Sequence, residues 1–397
     1  MAVKALIVDL DGTVIQDDGT VVPGIEESLS RLSNLGIKIA IVSNRPKRQG
    51  TGKIARLQYS PDCFVTKNEV GEPKGSPKWV EYICNAFNIE PRDVLYLGDT
   101  DHDMWTAVNA RVVYLNAAWS NSVMEYGIQV SSPAILTPLV ENFFMKPTLW
   151  YWTLNTQDRL GRTVEAKAMI DGNGAKVLDI RYGLLDWAKH DRDSNVGPFK
   201  LGNFFMLHLL ASIYLGGLYE KADWWTTYPG SDGGTNTAMD EFFDIAAKLF
   251  RDKFKPRLLV RHSPAVDSGE ARAAGRSVSF MNQVGTVCLN DDPATVEQIR
   301  GKSIVLIDDF ITDGYSSEWA RNLLFEAGAA NVITVTIGKY GSNFHCESPQ
   351  TGLSWNPFAP SKLSATDFAF LTARGTFDAS ALSCFRDSFL KARQTTV

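Results

Sequence analysis

Asp9 and Asp11 close an apolar run in Lys4-Ala5-Leu6-Ile7-Val8-Asp9-Leu10-Asp11-Gly12-Thr13. Further carboxylates, Asp99 and Asp103, close another in Leu97-Gly98-Asp99-Thr100-Asp101-His102-Asp103. Between them lie Ser43, at the end of IAIVS, and Lys74, within GEPKGSPKW. An isolated D-x-D is as often a turn as a site, so only the whole set points to chemistry. A carboxylate that attacks phosphorus must overcome repulsion between two anions. It needs a divalent cation clamped by further carboxylates, a cation on the substrate oxygens and a hydroxyl or backbone donor. Asp9, Asp99, Lys74 and Ser43 are of those types, and Asp11 is left to protonate the leaving oxygen and then activate water.

A second constellation lies in Ser303-Ile304-Val305-Leu306-Ile307-Asp308-Asp309-Phe310-Ile311-Thr312-Asp313-Gly314-Tyr315-Ser316. This reads as a buried strand ending in paired acids, then a hydroxyl and glycine loop, then a helix start. One reading is a βα turn whose Asp and Thr cap the helix. The other is a sugar-phosphate cradle, in which loop N–H groups and hydroxyls hold phosphate and the acids hydrogen-bond ribose hydroxyls.

The elements that must carry these residues are legible as a rhythm. From residue 3 to about 118, short apolar runs alternate with amphipathic stretches, which predicts a parallel, doubly wound sheet. Open α/β sheets place ligands at the carboxyl ends of their strands, where each of these runs turns polar. The rhythm lapses over 120–160, where Pro133, Pro138 and Pro147 occur. A hairpin is predicted over 163–182, turning at Asp171-Gly172-Asn173-Gly174. Strands in ADWWTTY, RLLVR, SIVLIDD and VITVTIG, with helices near 237–252 and 316–327, then predict a second α/β region. The expected domains are 1–135, a linker over 136–160, a second domain over 161–345 and an extension over 346–397. The fold class is α/β, with two mainly parallel sheets flanked by helices.

Composition bounds the function. At 397 residues the chain exceeds one ordinary core. Its net charge of -5 offers no overall basic footprint for nucleic acid. The five cysteines lack the close spacing of zinc sites and their odd number argues against a disulfide framework, so reduced thiols in a cytoplasmic protein are expected. The apolar stretch Phe199 to Leu218 is interrupted by Lys200, Asn203 and His208, which predicts a buried helix rather than a membrane span.

The segments around Asp9, Ser43, Lys74 and Asp99 resemble, in order, the motifs of the haloacid dehalogenase-like superfamily over about residues 4–118. The resemblance implies a magnesium-dependent phosphatase in which Asp9 is the nucleophile and Asp11 the general acid and base. Ser43 and Lys74 would bind the phosphoryl group, and Asp9, Asp11, Asp99 and Asp103 would form the metal site. The second aspartate, Asp11, points to the phosphatase and phosphotransferase branches. The gaps from Thr13 to Ser43 and from Ser43 to Lys74 are filled by core elements, so no cap domain fits. Discrimination must then come from a large substrate, a partner surface or the second domain lying over the mouth.

The stretch around Asp308 resembles the phosphoribosyl pyrophosphate signature of type I phosphoribosyltransferases, most like the competence-associated branch. By that resemblance Asp308, Asp309, Thr312, Asp313, Gly314, Tyr315 and Ser316 would bind phosphoribosyl pyrophosphate, and Gly230, Ser231, Asp232, Arg272 and Arg276 its pyrophosphate. The family usually has threonine where this chain has Asp313. Together the two resemblances imply a bifunctional enzyme that joins ribose 5-phosphate to a nitrogenous base-like acceptor and then removes the 5'-phosphate. Two alternatives stay open: a phosphatase gated by a nucleotide-sensing domain, and a phosphatase of a macromolecular phosphate. The partners implied are small-molecule substrates rather than nucleic acid or membrane, with a homodimer allowed.

Overall fold

Runs of β-branched and aliphatic residues with no polar interruption form strands buried on both faces, the pattern of a parallel sheet covered by helices. The first such run is β1 (Ala5–Asp9), every residue of which is buried. It is followed by β2 (Lys38–Ser43), β3 (Cys63–Thr66), β4 (Val94–Gly98), β5 (Val113–Ala117) and β6 (Ile128–Val130), in the sheet order β3-β2-β1-β4-β5-β6. All pairings in this sheet are parallel. The chain is described here from a computed structural model covering residues 2–120, 122, 124–145, 150–173, 194–231, 237–265, 271, 274–291, 298–360 and 362–395.

The helices between these strands are α1 (Ile25–Asn34), α2 (Lys47–Ile54), α3 (Lys67–Val70), α4 (Lys78–Phe87), α5 (Asp101–Asn109) and α6 (Pro133–Leu139). Among the described residues no inserted cap interrupts the first sheet. α1 and α4 bury Ile25, Leu29 and Leu32, and Trp79, Val80 and Ile83. These spacings give each helix one apolar stripe. α5 begins at a capping box formed by Thr100 and Asp103, so the side chain that starts the helix also fixes a candidate site residue.

The second sheet has seven strands in the order β12-β11-β15-β16-β8-β7-β19. Here β7 is Trp152–Gln157, β8 Thr163–Asp171, β11 Trp224–Thr227, β12 Lys253–Phe254, β15 Ser303–Ile311, β16 Asn331–Lys339 and β19 Thr376–Phe377. The strands β12, β11, β15, β16 and β8 are mutually parallel, whereas β7 and β19 are antiparallel additions at one edge. Small pairs complete the unit: β9 (Asn195–Val196) with β10 (Phe199–Lys200), β13 (Leu259–Arg261) with β14 (Val287–Leu289), and β17 (Asn343–Pro349) with β18 (Phe368–Arg374). Its helices include α7 (Leu201–Leu215), α8 (Thr237–Leu249), α9 (Tyr315–Glu326) and α10 (Ala379–Gln394).

Several elements differ from the sequence reading. The strand over 163–171 exists, but its described antiparallel partner is β7, upstream, through the turn at Asp158 to Arg162. The second strand expected over 175–182 lies outside the described residues. β7 occupies part of the stretch read as linker, and β19 with α10 draws the C-terminal extension into the fold. RLLVR is confined to the small β13–β14 pair and is not part of the large sheet.

The two units share one apolar cluster running from Val3 to Ala392. α7 is its centre. It is apolar nearly all round, as a helix enclosed on every side must be, and it buries Phe204, Phe205, Leu209, Leu210 and Ile213. Its Tyr214 hydroxyl donates to the Pro91 carbonyl at 3.0 Å and the Val94 carbonyl at 2.7 Å. These carbonyls stand at the start of β4, the end of the strand away from Asp99. Arg111 donates to the Tyr219 carbonyl and pairs with Asp252 at 3.2 Å. Among the described residues, the Tyr214 contacts join the second unit to the first at the end of β4 away from Asp99. Among the described residues no helix is long and apolar enough to cross a membrane, and all five cysteines are free thiols.

Candidate active site

Parallel register brings the chemistry together. Asp9 of β1 lies opposite Val42 of β2, so Ser43 follows at the same edge, while Val8 opposite Leu97 places Asp99 beyond the neighbouring end of β4. The chain can turn sharply after β1 because Gly12 has φ +83, a conformation that costs residues with a Cβ. A Cβ on Gly12 would also lie 2.1 Å from Asp99 Oδ2. The loop thus closes tightly enough for Thr13 Oγ1 to donate to Asp99 Oδ1 at 3.0 Å.

Lys74 reaches the centre of the site from the loop before α4. Its ammonium donates to Asp9 Oδ1 and, at 2.8 Å, to Asp103 Oδ1. All three side chains are almost wholly enclosed. The loop is pinned on both sides of the lysine. Lys74 N donates to Asn44 Oδ1 at 3.1 Å, Gly75 N to Thr106 Oγ1 at 2.6 Å, and Asn109 Nδ2 to the Gly75 carbonyl at 2.7 Å. Lys78, the other lysine of this segment, pairs instead with Glu72 on the surface. The structure therefore places Lys74 at the site.

Oxygens of Asp9, Asp99 and Asp103 lie within 4.8 Å of one another. Three carboxylates without sulfur or imidazole make a donor set for a hard cation such as magnesium, so the residues fit the expected ion. The Asp11 carboxylate stands outside this group. Its Oδ2 accepts from Ser43 Oγ at 2.9 Å, and its Oδ1 accepts from Arg45 Nε at 2.8 Å and from Lys53 Nζ.

Electrostatics separate the two aspartates of the motif. Burial, then the charge of Asp103, raises the Asp9 pKa well above the ordinary carboxylate value despite Lys74. Burial also acts upward on Asp11, but hydrogen bonds from Lys53, Arg45 and Ser43 outweigh it and hold this carboxyl below its ordinary value. Asp99 is raised by burial and by Asp103. Burial works against the Lys74 ammonium, yet Asp103 and Asp9 more than offset it and its pKa is raised. Tyr96 is raised well above its ordinary value by burial and by Asp103. It therefore stays a neutral donor, 2.9 Å from Asp103 Oδ1. Sequence reasoning missed Tyr96, Thr13, Arg45 and Lys53. Only the last two left a signal, as cations soon after Ser43.

In the second unit, Thr227 lies opposite Ile307, which sets the loop after β11 beside the end of β15. Tyr228 N donates to the Ile307 carbonyl at 2.9 Å, and Arg261 Nε to the Gly230 carbonyl at 2.6 Å. Residues Phe310 to Ser317, which include Thr312, Asp313, Gly314, Tyr315 and Ser316, line a small cavity of about 50 Å³. Gly314 has φ +88 and packs against Phe344. Lys339, buried, donates to the carbonyls of Thr312, Tyr340 and Asn343 and so holds this loop. Asp308 and Asp309 lie on β15, each accepting from the backbone N–H of the next residue at 2.8 Å. Arg276 is exposed, and among the described residues nothing joins its side chain to the cavity. Asp232 and Arg272 lie outside the described residues.

Residues 7–117 match the family of haloacid dehalogenase-like hydrolases. A phosphoglycolate phosphatase of Haemophilus influenzae is 30% identical over 89 residues, 21% of this chain and 39% of the relative. A phosphoglycolate phosphatase of Aquifex aeolicus is 29% identical over 129 residues, 31% of this chain and 61% of the relative. A phosphonoacetaldehyde hydrolase of Latilactobacillus sakei is 35% identical over 69 residues, 17% of this chain and 26% of the relative. The chain thus spans well under half the length of the first of these relatives. Among solved structures, a haloacid dehalogenase-superfamily hydrolase of Geobacter sulfurreducens aligns with 15% identity and a TM-score of 0.28, covering 33% of this chain and 96% of that one. The similarity to haloacid dehalogenase-like hydrolases, phosphoglycolate phosphatases among them, is thus confined to the N-terminal unit.

Proposed function

We propose that the N-terminal unit hydrolyses phosphomonoesters through an aspartyl-phosphate at Asp9, with magnesium held by Asp9, Asp99 and Asp103. The observation that carries this reading is the convergence of those three carboxylates with Lys74 and Ser43 at one strand edge. A bound divalent cation supplies positive charge to the substrate oxygens and offsets the crowding of buried carboxylates. Asp9 attacks phosphorus, and the P–O bond to the leaving alcohol breaks. Lys74 orients Asp9 and takes up charge on the phosphoryl oxygens. Ser43 donates a hydrogen bond. Asp11, on the outer side of Ser43, gives a proton to the leaving oxygen from its protonated form, a minority state at neutral pH because Lys53, Arg45 and Ser43 favour the carboxylate. As a carboxylate again, it draws a proton from the water that cleaves the acyl phosphate and releases inorganic phosphate.

Phosphate release from a panel of phosphomonoesters with magnesium tests this. Asp9→Asn should reduce kcat by at least about a thousandfold, as removal of a nucleophile does. A variant that kept most of its activity would refute the assignment.

A second reading concerns the other unit, and the cavity at Phe310 to Ser317 beside the Gly230 loop favours it. In this reading the loop binds the 5-phosphate of phosphoribosyl pyrophosphate, a nitrogenous acceptor displaces pyrophosphate, and the phosphatase unit frees the nucleoside-like product. The support is a phosphate-sized cavity at a strand-to-helix turn, where N–H groups converge on anions. Pyrophosphate release from phosphoribosyl pyrophosphate, measured with base-like acceptors in an Asp9→Asn background, decides it. Acceptor-dependent release is expected. A phosphatase equally active on nucleoside 5'-monophosphates and simple phosphomonoesters would count against coupling of the two steps.

A further inference from the structure

The chain carries a net charge of -5, yet residues 44–61 contain Arg45, Lys47, Arg48, Lys53 and Arg56 and no acid. This segment includes α2, which is seated on the first sheet at Gly50, where a Cβ would come within 2.9 Å of Phe64 Cζ. So anchored, α2 holds Lys53 over Asp11 while the preceding loop brings in Arg45. Both cations donate to the same carboxylate oxygen, Asp11 Oδ1.

Neither cation is used up by that contact. Arg45 engages Asp11 through Nε, its side chain is 42% exposed, and among the described residues its two terminal nitrogens have no protein acceptor. A guanidinium held at Nε presents those terminal nitrogens as a planar fork suited to a phosphate or carboxylate. Lys53, 19% exposed, spends one of three donors. Two acids of neighbouring segments are engaged elsewhere. Glu69 pairs with Lys47 at 2.8 Å, and Asp18 accepts from Thr20 N at 2.8 Å and Thr20 Oγ1 at 2.7 Å. Asp17 is exposed on that same turn.

The scissile phosphoryl group already has Ser43, Lys74 and the cation site. Arg45 and Lys53 stand at Asp11 Oδ1, whereas Ser43 meets the other oxygen, Oδ2. We propose that Arg45 and Lys53 form an anion clamp selecting phosphomonoesters whose alcohol portion carries a second anionic group, a phosphate or a carboxylate. The clamp rests on the hydrolase reading for its orientation, and it gives a site without a cap a means of discrimination.

Calorimetric binding to the full-length Asp9→Asn chain with magnesium tests the clamp apart from turnover. Adenosine 3',5'-bisphosphate is compared with adenosine 5'-monophosphate, and 2-phosphoglycolate with ethyl phosphate. The second anion should tighten binding roughly tenfold in at least one pair, the effect of one good charge-assisted contact. The pair that responds names the source of the anion. Arg45→Gln with Lys53→Gln should bring the ratio close to one, while Arg45→Lys, which keeps the charge and loses the fork, should keep part of it. Ratios near one in the parent, or a preference that survives the double substitution, would overturn the clamp. Loss of the hydrolase reading would appear separately, as absence of phosphate release by the chain that retains Asp9.

Discussion

Lys74→Met offers a quantitative test of how the site is balanced. The substitution keeps much of the side chain's volume and removes one buried positive charge that touches two carboxylates, Asp9 and Asp103. Removing one member of a buried ion pair costs about 3–5 kcal/mol because the remaining charge stays desolvated. Asp9 can relieve part of this by protonation, since burial and Asp103 already raise its pKa. The expected loss without divalent cation is therefore about 3 kcal/mol at neutral pH, at the lower end of that range. The sign with pH follows from the folded state binding this proton more tightly than the unfolded chain does. The deficit grows as pH rises above the unfolded carboxylate range and shrinks toward acid. Magnesium should restore charge balance, so the stabilisation it brings should be larger in the variant than in the parent. Denaturant unfolding at pH 5 and pH 8, each with chelator or with magnesium, measures all of this. A magnesium-free loss below about 1 kcal/mol, or an equal magnesium gain in both proteins, would refute the picture of Lys74 as the counter-ion of Asp9 and Asp103.

Other perturbations probe the supports. Gly12→Ala places a Cβ against Asp99 in a left-handed conformation, which should cost about 1–2 kcal/mol in backbone strain and weaken magnesium activation. Titration of activity with magnesium should show a raised half-saturating concentration, and an unchanged one would show that the loop relaxes without moving Asp99. Asp252, where α8 meets the first unit, has its pKa pushed up to about 7 by burial, against Arg111 and the Trp225 hydrogen bond. The folded state thus holds the proton more tightly, and stability should fall as pH rises from about 4 to 7, with a slope of up to about 1.4 kcal/mol per pH unit. Asp252→Asn should flatten that slope in pH-dependent melts; an unaltered slope would assign the titration to another group.

Some of this site was readable before folding was considered. Asp9, Ser43, Lys74 and Asp99 announce themselves because each follows an apolar run or sits in a turn-rich loop, and the chemistry of phosphoryl transfer demands those types. Parallel pairing of buried strands then requires them to meet, since every strand ends at the same edge. The buried α7 was equally legible, because no amphipathic face could reach solvent.

Other features exist only in three dimensions. Tyr96 lies inside a strand and its sequence position does not distinguish it from a core tyrosine, yet its hydroxyl meets Asp103. The pairing of β8 with β7 was not legible because a turn sequence marks where a chain can reverse, whereas pairing depends on which strand reaches the sheet edge. The seat of the second unit depended on Tyr214 finding the Pro91 and Val94 carbonyls at the start of β4, an encounter across the chain that no local pattern encodes. The identity and order of the candidate reacting groups are written in the chain, because chemistry selects residue types and strand periodicity sets their edge. Which cations stand beside Asp11 and where the two units meet follow from folding alone, because both depend on packing between segments distant along the chain.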